Sequence, residues 1–160
     1  MPPDPSDRLL PCALPGRQPL LVYGTLLPGL RLAGEMAGAE WIGPGTVPGT
    51  LFDLGSYPGV KLLPAGVSGH VNGRGHGLVH GLVYGVDATH LARLDAVEER
   101  VPGDDAASLY LRLALPCQPA DPATASPHWP DQVWVYVYNR AVDGCPRIPS
   151  GDYRAYLERG

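Results

Sequence analysis

Two stretches of this chain hold residue types that could do chemistry together. The first is Leu20-Leu21-Val22-Tyr23-Gly24-Thr25-Leu26-Leu27-Pro28-Gly29. An apolar, β-prone run stops at a glycine, and a hydroxyl residue follows. Strands end this way where the backbone turns sharply and presents its N–H groups. Such a turn can hold an anionic group without a cationic side chain. The plainer reading is a strand followed by a turn. The second stretch runs from Asp87 to Arg100. Advancing about 100° per residue from Leu91 puts Leu94 at about 300° and Glu98 at about 340°. Glu98 therefore lies between two leucines on the apolar face. Desolvation raises the pKa of a carboxylate so placed, which suits it to acid/base work near neutral pH. Two other outcomes fit the same spacing: Glu98 escapes to solvent as the last turn frays, or it pairs with Arg112. Asp95, at about 40° on the wheel, can also reach the partly buried side, but reads first as a helix-surface residue or a hydrogen-bonder to a neighbouring loop. Arg93 and Arg100 fall on the opposite side and face water.

The elements that must position these residues can be read from punctuation and period. A first strand covers Leu20–Tyr23, opened by Pro19. Residues 29–40 tolerate a short helix. The glycine- and proline-broken run 43–55 reads as short strands with bends, and Val60–Leu63 as another strand. Leu78–Val86 is a strand in which Gly81 marks a bulge or a close backbone approach. Asp87 is a good N-cap for a helix over Ala88–Arg100, which Val101-Pro102-Gly103 ends. Leu109–Leu115 and Gln132–Asn139 are strands; the second alternates Val133, Val135 and Val137 with Trp134, Tyr136 and Tyr138. Residues 64–77 form a glycine-dense loop and 116–130 a long solvated hairpin loop. A short helix starts near Ser150. About six or seven strands with two or three short helices, in runs with few helices between them, indicate an α+β fold, a mixed or antiparallel sheet curling toward a barrel.

Bulk properties narrow the class of function. The chain has 160 residues, which suits a single domain over 19–160 behind a loose leader at 1–18. Apolar residues make up 44%, enough for a packed core, and 21 glycines and 19 prolines disfavour a helix bundle. The net charge of −4 offers no basic face for nucleic acid. No apolar run is long enough for a membrane span, and the N-terminus lacks the pattern of a secretory signal. Three separated cysteines, Cys12, Cys117 and Cys145, fit a reduced cytoplasm better than a disulfide framework or a zinc site.

Other signals are weaker. His70, His76 and His80 lie close in sequence without the carboxylates or cysteines that complete a metal site, so no metal is expected. There is no GxGxxG, no P-loop and no GxSxG elbow. Neither Cys117 nor Cys145 has a placed histidine to activate it. Tyr84, Tyr110, Tyr136 and Tyr138 read as core residues with a wet hydroxyl. Tyr110, close after Glu98, is the best candidate among them to line a cavity.

The ordered set of short motifs resembles the gamma-glutamylcyclotransferase-like family. It comprises Val22-Tyr23-Gly24-Thr25-Leu26, Gly49–Gly59, Val79–Tyr84, Leu94-Asp95-Ala96-Val97-Glu98, Tyr110-Leu111-Arg112, Val135–Asn139 and Ile148–Tyr153. The likeness spans about residues 20–158. It implies a small mixed β-barrel of about six strands with a few short helices, in which Tyr23, Gly24, Thr25 and Leu26 bind the γ-glutamyl end of a small substrate through backbone amides. It assigns Glu98 as the general acid/base and needs no cofactor. The implied reaction is a ring closure in which the substrate's α-amine attacks its own γ-carbonyl and releases an amine and 5-oxoproline. The chain departs from the family at Glu99, where glycine is common, and at Leu27, where a basic residue is common. Loops 64–77 and 116–130 also look longer than usual. Two rival readings remain: a non-catalytic small-molecule binding module using the same cavity, and a biosynthetic enzyme acting on a carrier-linked γ-glutamyl group.

Overall fold

A computed structural model describes residues 8–62 and 77–159. Among these, eight strands and two helices follow in chain order: β1 (Gln18–Val22), β2 (Glu40–Pro48), β3 (Thr50–Asp53), β4 (Pro58–Lys61) and β5 (Leu78–Val86), then α1 (Ala88–Val97), β6 (Tyr110–Pro116), β7 (Gln118–Pro119), β8 (Gln132–Tyr138) and α2 (Tyr153–Arg159). A single 3-10 turn, Ala33–Met36, lies between β1 and β2. The strands form one curled sheet in the order β3-β4-β8-β1-β5-β2-β7, with β6 on the other edge of β8. Pairings of β8 with β1 and with β4 are parallel and the others antiparallel, so the sheet is mixed as expected.

β8 explains why the sheet has a core on each side. Val133, Val135 and Val137 belong to one buried cluster with Leu21, Val47, Val60 and Val83. Trp134 and Tyr136 belong to a second cluster with Leu20, Val22, Leu91 and Leu94. The period of two in β8 is therefore a contrast between branched and aromatic residues, with both faces covered. Each such buried side chain contributes about 1.5–3 kcal/mol. β1 is buried along its whole length between β5 and β8. Its end crowds Gly81, where a Cβ would lie 2.4 Å from the Val22 carbonyl oxygen. Gly81 thus marks a close approach, and the sheet's bulge falls instead in β2 between Trp41 and Gly43.

Several boundaries differ from the sequence reading. β1 starts at Gln18, because the Gln18 side chain bonds both backbone groups of Leu10 (2.7 and 2.8 Å) and receives Trp134 Nε1 at 3.0 Å. Leu10 is buried, so the packed part of the chain begins inside the expected leader. The fourth strand is Pro58–Lys61 instead of Val60–Leu63. The region 116–130 carries β7, which pairs with β2, and Trp129 donates to the Cys117 carbonyl at 3.1 Å. It is folded against the sheet at its start and near its end. The expected loop 64–77 lies almost wholly outside the described residues, as do His70 and His76; His80 is exposed on β5.

α1 begins as expected, with the Asp87 side chain accepting from His90 N at 2.7 Å. It ends at Val97, three residues early. Glu99 N donates to Ala96 O at 3.1 Å and Arg100 N to Asp95 O at 2.8 Å. This pair of bonds is the Schellman reversal, with Glu99 in the left-handed position at φ 57°. The reversal takes Arg100 off the helical phase. Expected to face water, Arg100 is instead buried and reaches Asp95 Oδ2 at 2.9 Å.

Candidate active site

The site is built at the end of β1. Beyond Val22 the Tyr23 ring turns inward. Its hydroxyl donates to the Tyr136 carbonyl at 2.5 Å and accepts from Val60 N at 3.3 Å, tying β1 to β8 and β4 at once. The next four residues form a turn closed by Leu27 N on Gly24 O at 2.9 Å, and Leu32 N returns to Thr25 O at 2.8 Å. The N–H groups of Thr25 and Leu26, at the centre of this turn, have no acceptor among the described residues. Gly24 is required by space: a Cβ there would stand 2.7 Å from Pro58 Cγ. Pro58 is held in turn by Tyr110, whose hydroxyl donates to the Pro58 carbonyl at 2.7 Å.

The C-terminal end of α1 supplies the opposite wall. Glu98 is its C-cap, partly buried, with its N–H bonded to Leu94 O at 2.9 Å. The position of this helix end is set by Asp95, three residues earlier. Both Asp95 oxygens are occupied: Oδ1 accepts from Tyr136 Oη at 2.7 Å and Arg112 Nε at 2.8 Å, and Oδ2 from Arg100 Nη1 at 2.9 Å and Arg112 Nη2 at 3.1 Å. Asp95 is thus a buried anchor and not a surface residue, and Arg112 is engaged with Asp95 and not with Glu98. Glu98 stays half-buried at the helix end, and among the described residues it forms no ion pair with that network.

Between the turn and the helix end lies a cavity of about 260 Å³. Tyr23, Gly24, Thr25, Leu26, Glu98 and Tyr110, the six residues singled out in the sequence, all line it. So do Arg31, Tyr57 and Glu99, which were not assigned a site role. Arg31 belongs to no recognisable motif, and Tyr57 lies in a matched segment that gave no chemical cue. No residue of 116–130 lines the cavity.

The electrostatics of the cavity centre on Glu98. Burial pushes its carboxyl up to about 7, the neighbouring Glu99 adds to the rise, and Arg31 opposes it. Burial also raises the Tyr23 and Tyr110 hydroxyls far above the ordinary tyrosine range, with Glu98 contributing to both. Both phenols therefore stay protonated, and each donates its one proton to a carbonyl. What they offer a ligand is a ring surface. A carboxyl that titrates near neutrality, lining one cavity with a turn whose Thr25 and Leu26 N–H groups have no acceptor among the described residues, has the chemistry to exchange a proton with a ligand whose anionic end such a turn can hold. Cys117 has no such character: it is buried and its thiol is pushed up to about 12 by burial.

The chain is similar to known proteins in sequence and in fold. The family model described as "Gamma-glutamyl cyclotransferase, AIG2-like" matches residues 20–155. An AIG2-like protein from Mus musculus is 28% identical, with 86% of this chain and 88% of that one covered and a TM-score of 0.64. The protein ytfP from Escherichia coli is 32% identical over 89% of this chain and 98% of that one, with a TM-score of 0.56. An uncharacterised protein from Pyrococcus horikoshii shares the fold at 20% identity, covering 89% of this chain and 95% of that one with a TM-score of 0.60. No curated protein sequence matches the chain. The sheet, the turn after β1 and the glutamate at the end of α1 stand in a chain that belongs to the gamma-glutamyl cyclotransferase, AIG2-like family.

Proposed function

We propose that this protein is a γ-glutamyl cyclotransferase that releases 5-oxoproline from a γ-glutamyl amine or peptide, with Glu98 as general acid/base. The observation that carries this reading is the meeting, in the lining of one small cavity, of Glu98 with Thr25 and Leu26, whose N–H groups have no acceptor among the described residues. Those N–H groups hold the substrate's α-carboxylate, which leaves the α-amine directed at Glu98. Glu98 takes a proton from the α-ammonium. The freed nitrogen attacks the γ-carbonyl carbon, forming the ring C–N bond. The bond to the leaving nitrogen breaks as that nitrogen receives the proton from Glu98. The regenerated carboxylate then takes the second proton from the ring nitrogen and passes it to the released amine, which departs as the ammonium ion and leaves Glu98 ionised again. A carboxyl titrating near neutrality serves these transfers, because neither direction is strongly uphill. Holding the chain in a ring-closing geometry supplies a proximity advantage. The rings of Tyr23 and Tyr110 form the wall, and their hydroxyl bonds fix the turn and Pro58 in place.

Turnover of a panel of γ-glutamyl amines and γ-glutamyl dipeptides, followed as released 5-oxoproline, tests the reading. The wild-type protein turns over at least one member, and Glu98→Gln reduces kcat on it by about 10²-fold or more. Binding of γ-glutamyl compounds without any turnover marks a binding module in the same cavity. A Glu98→Gln variant as active as wild type removes Glu98 from the mechanism.

A further inference from the structure

Glu99 stands where three local preferences oppose a glutamate. Its φ of 57° is the one positive value at a non-glycine position among the described residues. This is the left-handed C′ site of a helix cap, where glycine is strongly favoured. It also follows the C-terminal end of α1, which carries partial negative charge, and the last turn of α1 holds no basic residue to offset that charge. Its neighbour along the cavity wall is another carboxylate, Glu98. A glycine would relieve all three conflicts. Local rules broken together at a cavity are a sign of function, since backbone strain persists where the surroundings gain something by it.

Building on the acid/base reading of Glu98, we propose that Glu99 is a positioning residue whose negative charge on the cavity wall keeps Glu98 able to exchange a proton in both directions, taking one from the attacking α-amine and giving one to the leaving amine. With burial alone, Glu98 depends on how completely the cavity is closed. With Glu99 beside it, the protonated form is favoured even while the mouth is open. The other groups that face Glu98 are known from each packed element. Arg31, from the segment after β1, pulls the other way, while Tyr23 at the end of β1, Tyr110 on β6 and Tyr136 on β8 are neutral hydroxyls coupled to it. Arg100 and Arg112 bond Asp95. Glu99 is thus the one further carboxylate on the cavity wall with Glu98 among the described residues.

Carbon-13 NMR titration of the Glu98 carboxyl tests this without any substrate, the resonance being assigned by its loss in Glu98→Gln. The wild-type midpoint is expected at about 7. Glu99→Gln keeps the backbone strain and removes the charge, and Glu99→Gly removes both. Each lowers the midpoint on the order of half a pH unit, and Glu99→Asp restores it. Added salt lowers the wild-type midpoint toward the Gln value, because the Glu99 charge reaches Glu98 partly through solvent. The acid limb of the pH profile for 5-oxoproline release moves with the titration. An unchanged midpoint in Glu99→Gln overturns the role of Glu99 and leaves the cyclotransferase reading standing. A shifted midpoint with no turnover of any γ-glutamyl compound overturns the catalytic role of the pair together with that reading.

Discussion

Arg112 grips Asp95 through two parallel bonds, Nε to Oδ1 at 2.8 Å and Nη2 to Oδ2 at 3.1 Å, and both residues are buried. The guanidinium also lies over the Trp134 ring, 4.6 Å from its centroid. β6, β8 and the end of α1 are locked by this one group of contacts, with Tyr136 and Arg100 completing it. Glu98 follows Asp95 by three residues, so the clamp fixes where the catalytic candidate stands.

Removing the Asp95 carboxylate takes away the charge that two buried guanidiniums, Arg100 and Arg112, both bond. Asp95→Asn is therefore expected to cost about 3–5 kcal/mol of stability. Urea unfolding of the two proteins measures it directly. A loss below about 1 kcal/mol, the range of an exposed pair, contradicts the clamp.

Gly24 is argued to be glycine for space and not for backbone freedom, and the two reasons differ in their consequences. In Gly24→Ala the new methyl stands 2.7 Å from Pro58 Cγ, so either the turn or β4 must move. Overpacking of this kind costs about 1–3 kcal/mol. The displaced Thr25 and Leu26 amides also lose their aim, and a misplacement of about 1 Å can cost about 10²-fold in rate. Stability and kcat/KM for the preferred γ-glutamyl compound should fall together. A variant with wild-type kcat/KM rules out a tightly specified turn.

Tyr110→Phe separates ring from hydroxyl. The ring packs edge-on to Tyr138 at 5.3 Å and lines the cavity, while the hydroxyl serves the Pro58 carbonyl. Losing the hydroxyl should lower stability by about 1 kcal/mol and leave kcat within about tenfold of wild type. A collapse of kcat with unchanged stability shows instead that the hydroxyl touches substrate.

Much of this site could be read before any coordinates. The turn at Tyr23–Leu26 is announced by a β-prone run ending in Gly-Thr, and Glu98 by its place between Leu91 and Leu94 on a helical wheel. Local signals of this kind survive because strand ends and helix faces are decided by residues a few positions apart. The preferred surface reading of Asp95 and the solvent-facing reading of Arg100 fail for a related reason. The wheel continues a helix past its true end, and the reversal at Glu99 carries no sequence mark when glycine is absent. The wheel also cannot say that Arg112, seventeen residues on, meets Asp95 and not Glu98. That Arg112 reaches Asp95 follows from the register of β6 against β8. In the same way, Leu10 and Gln18 form part of the core through bonds that link residues far apart in pattern.

A raised carboxyl also leaves a signature on stability, with a sign opposite to that of an ion-paired one. In the unfolded chain Glu98 loses its proton around its ordinary value of 4.5, whereas in the folded protein it does so at about 7. Between these values the folded state binds the extra proton, so stability falls as pH rises through that window and levels off above it. Glu98→Gln has no proton to lose. Its stability relative to wild type should therefore rise from about pH 4.5 to about pH 7 and then stay constant, gaining about 2 kcal/mol once partial solvent exposure is allowed for. Thermal or urea unfolding of both proteins at pH 5 and pH 8 is sufficient. If the difference between them is the same at both values, Glu98 titrates as an ordinary surface glutamate. A flat difference would also remove the reason for expecting 5-oxoproline release to rise with pH through about 7, because the base would already be ionised well below neutrality.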